Sequence, residues 1–193
     1  YEAQGAGVIT RARLASEAEL GEAGLAILQE AGELATFWLD DEGAAMHFRR
    51  ALDIARWELL LGEEDERLAL LSLKLADALR RCRHYLAAEM VYKEALGAAG
   101  RHPKLRTRLY AGLAKLLVDR DLGEEGIKTM RQAMTQAHAT GSSALLAEMY
   151  IVLSDLLERL GKTETAASEF EEAIFLVTSG DGVSTSVPPR GFW

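Results

Sequence analysis

The sequence predicts an all-α fold, a stack of about four helical hairpins. Three observations support this prediction. Apolar residues recur at three- and four-residue steps through most of the chain, which is the period of an amphipathic helix. Glycine falls mainly where such helices should end, and only three prolines occur in 193 residues. One pattern of small and large residues is repeated four times along the chain.

Capping signals and glycines set the expected helix boundaries. Ser16 and Glu19 have capping-box spacing at the start of the first helix, and Pro103 suits the first position of the fifth. Gly141 and Gly161 stand where helices should end. The predicted helices cover residues 17–38, 42–61, 64–82, 84–99, 103–119, 123–139, 143–160 and 163–178.

These helices define a repeat domain at 17–178 with two flanking segments. Residues 1–16 are expected to be a link or the remnant of an earlier hairpin. Residues 179–193 are expected to be a non-helical tail, since Pro188 and Pro189 favour a polyproline-like conformation. The tail is either a linker or flexible end, or a cap in which Phe192 and Trp193 dock on the helical stack.

Within each copy, small residues recur at three equivalent positions and a large residue at a fourth. The first small position is Gly32, Ala76, Ala114 and Ser154 in the four copies. The large position is Phe48, Tyr92, Met130 and Phe170. We expect the small residues to let the two helices of a hairpin approach closely, and the large residue to fill the gap toward the next hairpin.

This pattern resembles the tetratricopeptide repeat (TPR) family over about four fifths of the chain. The resemblance implies an α-α superhelix, or TPR solenoid. Equivalent positions are 44, 38 and 40 residues apart, which is longer than the standard repeat. The proline that closes each repeat is absent except for Pro103. The segment from Tyr110 to Ala114 is similar to the long-repeat variant of kinesin light chains and bacterial signalling proteins.

Charge is unevenly distributed within a formal net charge of −8. Residues 80–115 hold nine basic and two acidic groups, whereas both flanking segments are acidic. This distribution argues against general nucleic-acid affinity and for a localised basic patch. The alternative is a solvated helix face that happens to be rich in arginine.

The family resemblance implies that the first helix of each hairpin lines a concave groove. The residues carried over to this groove are Leu70, Leu73, Lys74, Asp77, Arg80, Arg81, Arg108, Lys115, Ile151 and Asp155. Such a groove suits a peptide with acidic residues, with leucine and isoleucine side chains supplying apolar contact. Alternatively, its cations only pair with Asp77, Asp119 and Asp155 across the groove. The clamp by which chaperone-binding relatives hold a C-terminal carboxylate is absent.

No residue pattern indicates catalysis, a metal or a cofactor. The four histidines have no partner at metal-ligand spacing and are expected at helix ends or on the surface. No glycine-rich phosphate loop is present. Arg81 and Arg83 beside Cys82 could lower the pKa of its thiol, but no general base is paired with it. We therefore predict that the chain is not an enzyme.

The leading functional prediction is a protein–protein interaction scaffold that binds a protein or peptide, within a larger bacterial signalling or regulatory protein. Alternatives are a ligand- or peptide-sensing domain that controls an attached DNA-binding or kinase domain, and a structural unit that self-associates through the solenoid ends or the tail. No membrane or nucleic-acid partner is expected. A single cysteine fits a reducing compartment and predicts a cytoplasmic location.

Overall fold

The computed structural model describes residues 21–62 and 65–180, which form four consecutive helical hairpins. Each helix packs on the next one in the chain, and the first helices of the second, third and fourth hairpins also contact one another. The helices are α1 (Gly21–Phe37), α2 (Asp41–Asp53), α3 (Glu66–Arg81), α4 (Tyr85–Ala98), α5 (Pro103–Asp119), α6 (Gly123–Thr140), α7 (Ser143–Arg159) and α8 (Thr163–Gly180). The all-α fold of four hairpins is thus confirmed.

The largest difference from the sequence prediction lies at the end of the first hairpin. A helix was expected to continue to residue 61, but α2 ends at Asp53 and continues as a π-helical turn, Ile54–Glu58. The wider turn is closed by the Leu59 amide, which donates to the Ile54 carbonyl at 3.0 Å. Leu60 then adopts a positive φ of 50°, which turns the chain toward the second hairpin.

The flanking segments fall mostly outside the described residues. This applies to the predicted link at 1–16, to the Ser16 capping pattern, and to the tail beyond Gly180, including Phe192 and Trp193. Helix α8 extends two residues past its expected end at 178. No helix in the described part of the chain is long and apolar enough to cross a membrane.

Close approach within and between hairpins depends on small residues. A Cβ atom added to Gly32 in α1 would lie 2.5 Å from the ring of Phe48 in α2. A Cβ added to Gly112 in α5 would lie 2.5 Å from the ring of Tyr92, which belongs to the preceding hairpin. Ser154 takes the small position in the fourth hairpin, and its hydroxyl donates to the Ala166 carbonyl at 2.8 Å. These contacts agree with the steric interpretation of the repeat.

The large residue of each copy is buried in the first three hairpins and exposed in the last. Phe48, Tyr92 and Met130 are at most 2% exposed, whereas Phe170 is 48% exposed. Around them, buried residues form two core clusters, one from Leu25 to Leu116 and one from Ala111 to Ala166. Helix α5 contributes to both, because one of its faces packs on the second hairpin and the other on its own partner and the fourth.

All four hairpin turns have the same geometry, although their sequences differ. One residue in each turn adopts the left-handed conformation, and the next amide donates at 2.9 Å to a carbonyl five residues earlier. This is the Schellman arrangement that ends many helices. The left-handed residues are Leu39, Arg83, Asp121 and Gly161. Only the last is a glycine, so three of the turns place a side chain in a strained backbone conformation.

Candidate functional site

The ten predicted groove residues lie on the first helices of the hairpins. We call the face that α1, α3, α5 and α7 form together the groove face. Leu70 to Arg81 lie on α3, Arg108 and Lys115 on α5, and Ile151 and Asp155 on α7. Because α3 contacts α5 and α5 contacts α7, residues one repeat apart become neighbours on this face. The structure therefore brings together side chains that are about 40 residues apart in sequence.

Ion pairs join each first helix to the next across this face. Lys74 pairs with Glu33 of α1. Arg80 donates to Asp119 of α5 at 2.7 Å. Arg108 donates from Nε and Nη2 to the two carboxylate oxygens of Glu148 in α7, at 3.0 and 2.9 Å. Three of the predicted groove cations are therefore held by carboxylates of neighbouring hairpins, which is the kind of pairing named as the alternative to ligand binding.

Asp119 is the carboxylate that joins three hairpins. Besides Arg80 of the second hairpin it pairs with Arg159 of the fourth. The side chains of Asp119 and Arg80 are only 13% and 16% exposed. Arg81, next to Arg80, pairs instead with Asp41 at the start of α2, so it links the second hairpin to the first.

Asp77 is occupied within its own hairpin. It accepts a hydrogen bond from the Tyr92 hydroxyl at 2.6 Å and lies 3.9 Å from the Nε of Arg80. Burial of the Tyr92 ring, together with the nearby Asp77 charge, raises the pKa of the phenol well above its ordinary value. Asp77 thus anchors a core tyrosine and is not free for a ligand.

One predicted contact residue is misplaced. Leu73 was expected on the groove surface, but it is 8% exposed and belongs to the first core cluster. It is covered because α3 lies between α2, α4 and α5. Leu70 is half-buried against the same cluster. Ile151, 48% exposed on α7, is the predicted apolar residue that remains accessible.

Two of the ten predicted groove residues carry a charge that no ion pair holds within the described part of the chain. Lys115 on α5 and Asp155 on α7 make no ion pair with any residue in the described ranges. Asp155 lies one helical turn from Ile151, so these two side chains share a face of α7. The groove face therefore has an exposed apolar side chain together with a carboxylate and an ammonium group that are not ion-paired with described residues.

A polar depression of about 420 Å³ opens at the turn end of the second, third and fourth hairpins. We call it the arginine pocket. It is lined by Arg80, Arg81, Arg83, Tyr85, Val118, Asp119, Asp121 and Arg159. The sequence prediction missed Arg83, Tyr85 and Asp121 because they were treated only as turn residues. Their position in the repeat could have identified two of them. Arg83 and Asp121 occupy the same place in consecutive hairpin turns, so the stacking of hairpins brings them to one edge.

The histidines and the cysteine discussed in the sequence analysis lie away from the groove face or at its edge. In the described part of the chain, no group of three or more potential ligand side chains has metal-site geometry. His47, expected on the surface, is 6% exposed within α2, and burial lowers the pKa of its imidazole. Burial raises the pKa of the Cys82 thiol, and Asp41 adds to the effect. The neighbouring arginines therefore do not activate this cysteine.

The fold and the ion-paired face place the chain in the class of TPR-type helical-repeat solenoids. No protein-family model and no curated protein sequence matches it. Among solved structures it is similar to BtubC (BKLC) from P. vanneervenii, with a TM-score of 0.65 and 20% identity over 88% of this chain and 69% of that one. A putative kinesin light chain from Podosopora anserina, described as having nearly identical TPR-like repeats, gives a TM-score of 0.60 and 15% identity, covering 84% of this chain and 79% of that one.

A third similar structure is PlcR from Bacillus thuringiensis, solved in complex with the peptide PapR7 and DNA. Its TM-score is 0.53 at 12% identity, over 90% of this chain and 71% of PlcR. At these identities the similarity concerns the fold. The repeat pattern predicted this fold. The sequence analysis also pointed to a similarity with kinesin light chains.

Proposed function

We propose that this protein is an interaction scaffold that binds a protein or peptide partner along the groove face, within a larger signalling or regulatory protein of the bacterial cytoplasm. The observation that carries this proposal is that the groove face contains two kinds of residue: some are ion-paired between helices, and others remain accessible. Ion pairs hold neighbouring first helices in a fixed relation, while Ile151, Asp155 and Lys115 remain accessible. A pre-organised surface with an apolar anchor and a few free charges loses little entropy when a partner binds.

Ile151 is the expected centre of the contact. Among the described residues of α3, α5 and α7 it is the exposed large apolar side chain, and a partner that covers it would remove apolar surface from water. Asp155 lies one helical turn from Ile151, and Lys115 on the neighbouring helix α5 carries the opposite charge, which favours a partner with complementary charges. The similarity to PlcR supports a peptide as one form of partner, since that protein was solved with a bound peptide.

A photo-crosslinking experiment tests the groove face directly. The photoreactive residue p-benzoylphenylalanine is placed at Ile151 and, as a matched control, at Met90 on α4, a second helix. Both native side chains are large, apolar and exposed, 48% and 72% respectively. We expect covalent adducts with the partner at position 151, and an excess of protein without the photoreactive residue should suppress them. We expect no adduct at position 90. Identical adducts at both positions, or none at 151, would contradict the proposal.

Substitutions then measure the contribution of individual side chains to capture of the crosslinked partner. Ile151→Glu should abolish capture and Lys115→Glu should weaken it, whereas Met90→Glu should leave it unchanged. Reversing the charge of Arg80 is unsuitable for this purpose. Its guanidinium is largely buried with Asp119, so Arg80→Glu would unfold the stack and remove binding indirectly. Circular dichroism of each variant confirms that the fold is retained.

Self-assembly is a second candidate because α8 leaves an apolar stripe uncovered by the described residues. Phe170, Ile174 and Val177 are 48–55% exposed, while the residues equivalent to Phe170 in the other hairpins are buried against the stack. If this stripe joins copies of the chain, light scattering should give a mass that rises with concentration, and Phe170→Glu should return it to that of a monomer. A constant monomer mass would argue for the scaffold alone. The sensing alternative requires an attached effector domain, which the full-length gene would reveal.

A further inference from the structure

The arginine pocket is formed by three hairpins and lies outside the accessible part of the groove face. The end of α3 contributes Arg80 and Arg81, the turn after it Arg83, the next turn Asp121, and the end of α7 Arg159. Four guanidinium groups and two carboxylates therefore line one open cavity. Its volume of about 420 Å³ falls within the range of sites that hold a ligand group.

The charges in this cavity are not balanced one for one. Arg80 and Arg159 share Asp119, Arg80 also lies 3.9 Å from Asp77, and Arg81 is paired with Asp41 from outside the cavity. Arg83 makes no ion pair with the described residues. It is the lining guanidinium with all of its N–H donors still available to a ligand. The backbone also fixes its position, because Arg83 is the left-handed residue of a Schellman turn.

We propose that the arginine pocket binds a side-chain carboxylate, from an aspartate or glutamate of the peptide partner, with Arg83 as its principal donor. The inference rests on the proposed function in one respect, namely that the ligand group belongs to a peptide. A guanidinium binds a carboxylate through two parallel hydrogen bonds. The lining as a whole holds four guanidinium groups and two carboxylates, which favours an anion over a cation.

The size of the available charge favours a carboxylate over a phosphate. Arg83 is the one lining guanidinium without an ion pair in the described ranges, so a singly charged group suits it. A phosphate group carries nearly two charges at neutral pH and would lie close to Asp119 and Asp121. Repulsion from these carboxylates disfavours the second charge. Asp121, which also has no ion pair in the described ranges, opposes any anion that enters the pocket.

Defined peptides test the inference without knowledge of the natural partner. Rhodamine-labelled octaglutamate and octaglutamine are titrated with the protein at low salt, and binding is followed by fluorescence anisotropy. We expect octaglutamate to bind and octaglutamine not to bind. Arg83→Gln should weaken octaglutamate binding at least fivefold. The control Arg49→Gln removes the same charge from an exposed arginine of α2 outside the pocket and should change binding less than twofold.

A second variant predicts a change in the opposite direction. Asp121→Asn removes a repulsive carboxylate, and asparagine tolerates the left-handed conformation of this turn. We expect it to tighten octaglutamate binding at least twofold. Such a gain cannot arise from damage to the fold, so it keeps the test decisive even if Arg83→Gln proves unstable. No gain would overturn the role assigned to the pocket.

The remaining outcomes separate this inference from its alternatives. Equal losses for Arg83→Gln and Arg49→Gln would mean that octaglutamate is held by diffuse charge, which overturns the pocket assignment. A phosphoserine peptide that binds more than tenfold tighter than its glutamate counterpart, through Arg83, would assign the pocket to phosphate instead. Neither result affects the crosslink at Ile151, so the proposed function and this inference can fail independently.

Discussion

Replacing Asp119 with asparagine should destabilise the fold more than neutralising any other single carboxylate on the groove face. Asparagine keeps the shape of the side chain but removes the charge shared by Arg80 and Arg159. Because Asp119 and Arg80 are both more than four-fifths buried, loss of one partner leaves a guanidinium charge in a poorly solvated position. Arg159 is 40% exposed, so water compensates for most of its loss.

The expected loss in the free energy of unfolding follows from this difference in exposure. A fully buried pair costs about 3–5 kcal/mol when one member is removed, so the largely buried Arg80 pair should cost about 2–3 kcal/mol. The Arg159 pair should add less than about 1 kcal/mol. A total of about 3 kcal/mol lowers the melting temperature of a domain of this size by about 6–12 °C. Urea unfolding followed by circular dichroism at 222 nm measures the free energy, and calorimetry the melting temperature.

The control is the exposed pair between Arg56 and Glu94, whose side chains are 33% and 62% exposed. Glu94→Gln should cost less than about 1 kcal/mol. A double-mutant cycle of Asp119→Asn with Arg80→Gln isolates the coupling between the two groups. If Asp119→Asn costs no more than Glu94→Gln, or if the cycle gives no coupling, the ion pairs do not hold the hairpins together and the reasoning above fails.

Three further changes test packing, turns and pH dependence. Gly112→Ala should lower the free energy of unfolding in urea by about 1–3 kcal/mol, because its methyl group would meet the Tyr92 ring. Gly97 lies in open space near the end of α4, so Gly97→Ala should raise that free energy by up to about 1 kcal/mol. Leu39→Gly should raise the free energy of unfolding by about 0.5–1 kcal/mol, because glycine adopts the left-handed conformation without strain. Gly161→Ala at the equivalent turn should lower it by as much. Equal effects of the two changes would refute the strain argument. The raised pKa of Tyr92 keeps its phenol protonated in the folded state, so the unfolded state loses that proton first and stability should fall as pH rises above about 10. Tyr92→Phe should flatten this alkaline slope and cost about 1.5–3 kcal/mol at neutral pH, and an unchanged slope would place the effect elsewhere.

The repeat could be predicted from the sequence because it depends on side-chain size at fixed steps. Gly32 and Phe48 meet within one hairpin, and their spacing along the chain is enough to predict that contact. Helix ends at Pro103 and Gly141 follow from local backbone preferences. Such features need only the periodicity of a helix and the sterics of the backbone.

The candidate site was less predictable because it depends on how consecutive hairpins stack. The residues of α3 can be assigned to a face, but which carboxylate meets Lys74 or Arg80 depends on the rotation between hairpins. Burial of Leu73 has the same origin, since α3 is covered on several sides. The left-handed turns at Leu39 and Arg83 carry no glycine, and the hydrogen bonds around them impose the conformation.

The ion pairs between first helices also determine the order in which the hairpins can be joined. Helix α3 presents cations to both neighbours, Lys74 toward Glu33 and Arg80 toward Asp119, while Asp119 receives Arg159 from the other side. In two copies of the second hairpin placed side by side, Arg80 would face Arg81, which stands one repeat before Asp119, and this carboxylate would be lost from the junction. Duplication or exchange of a hairpin, the usual route by which repeat proteins lengthen, is therefore penalised here. Each hairpin has become specific for its place in the chain.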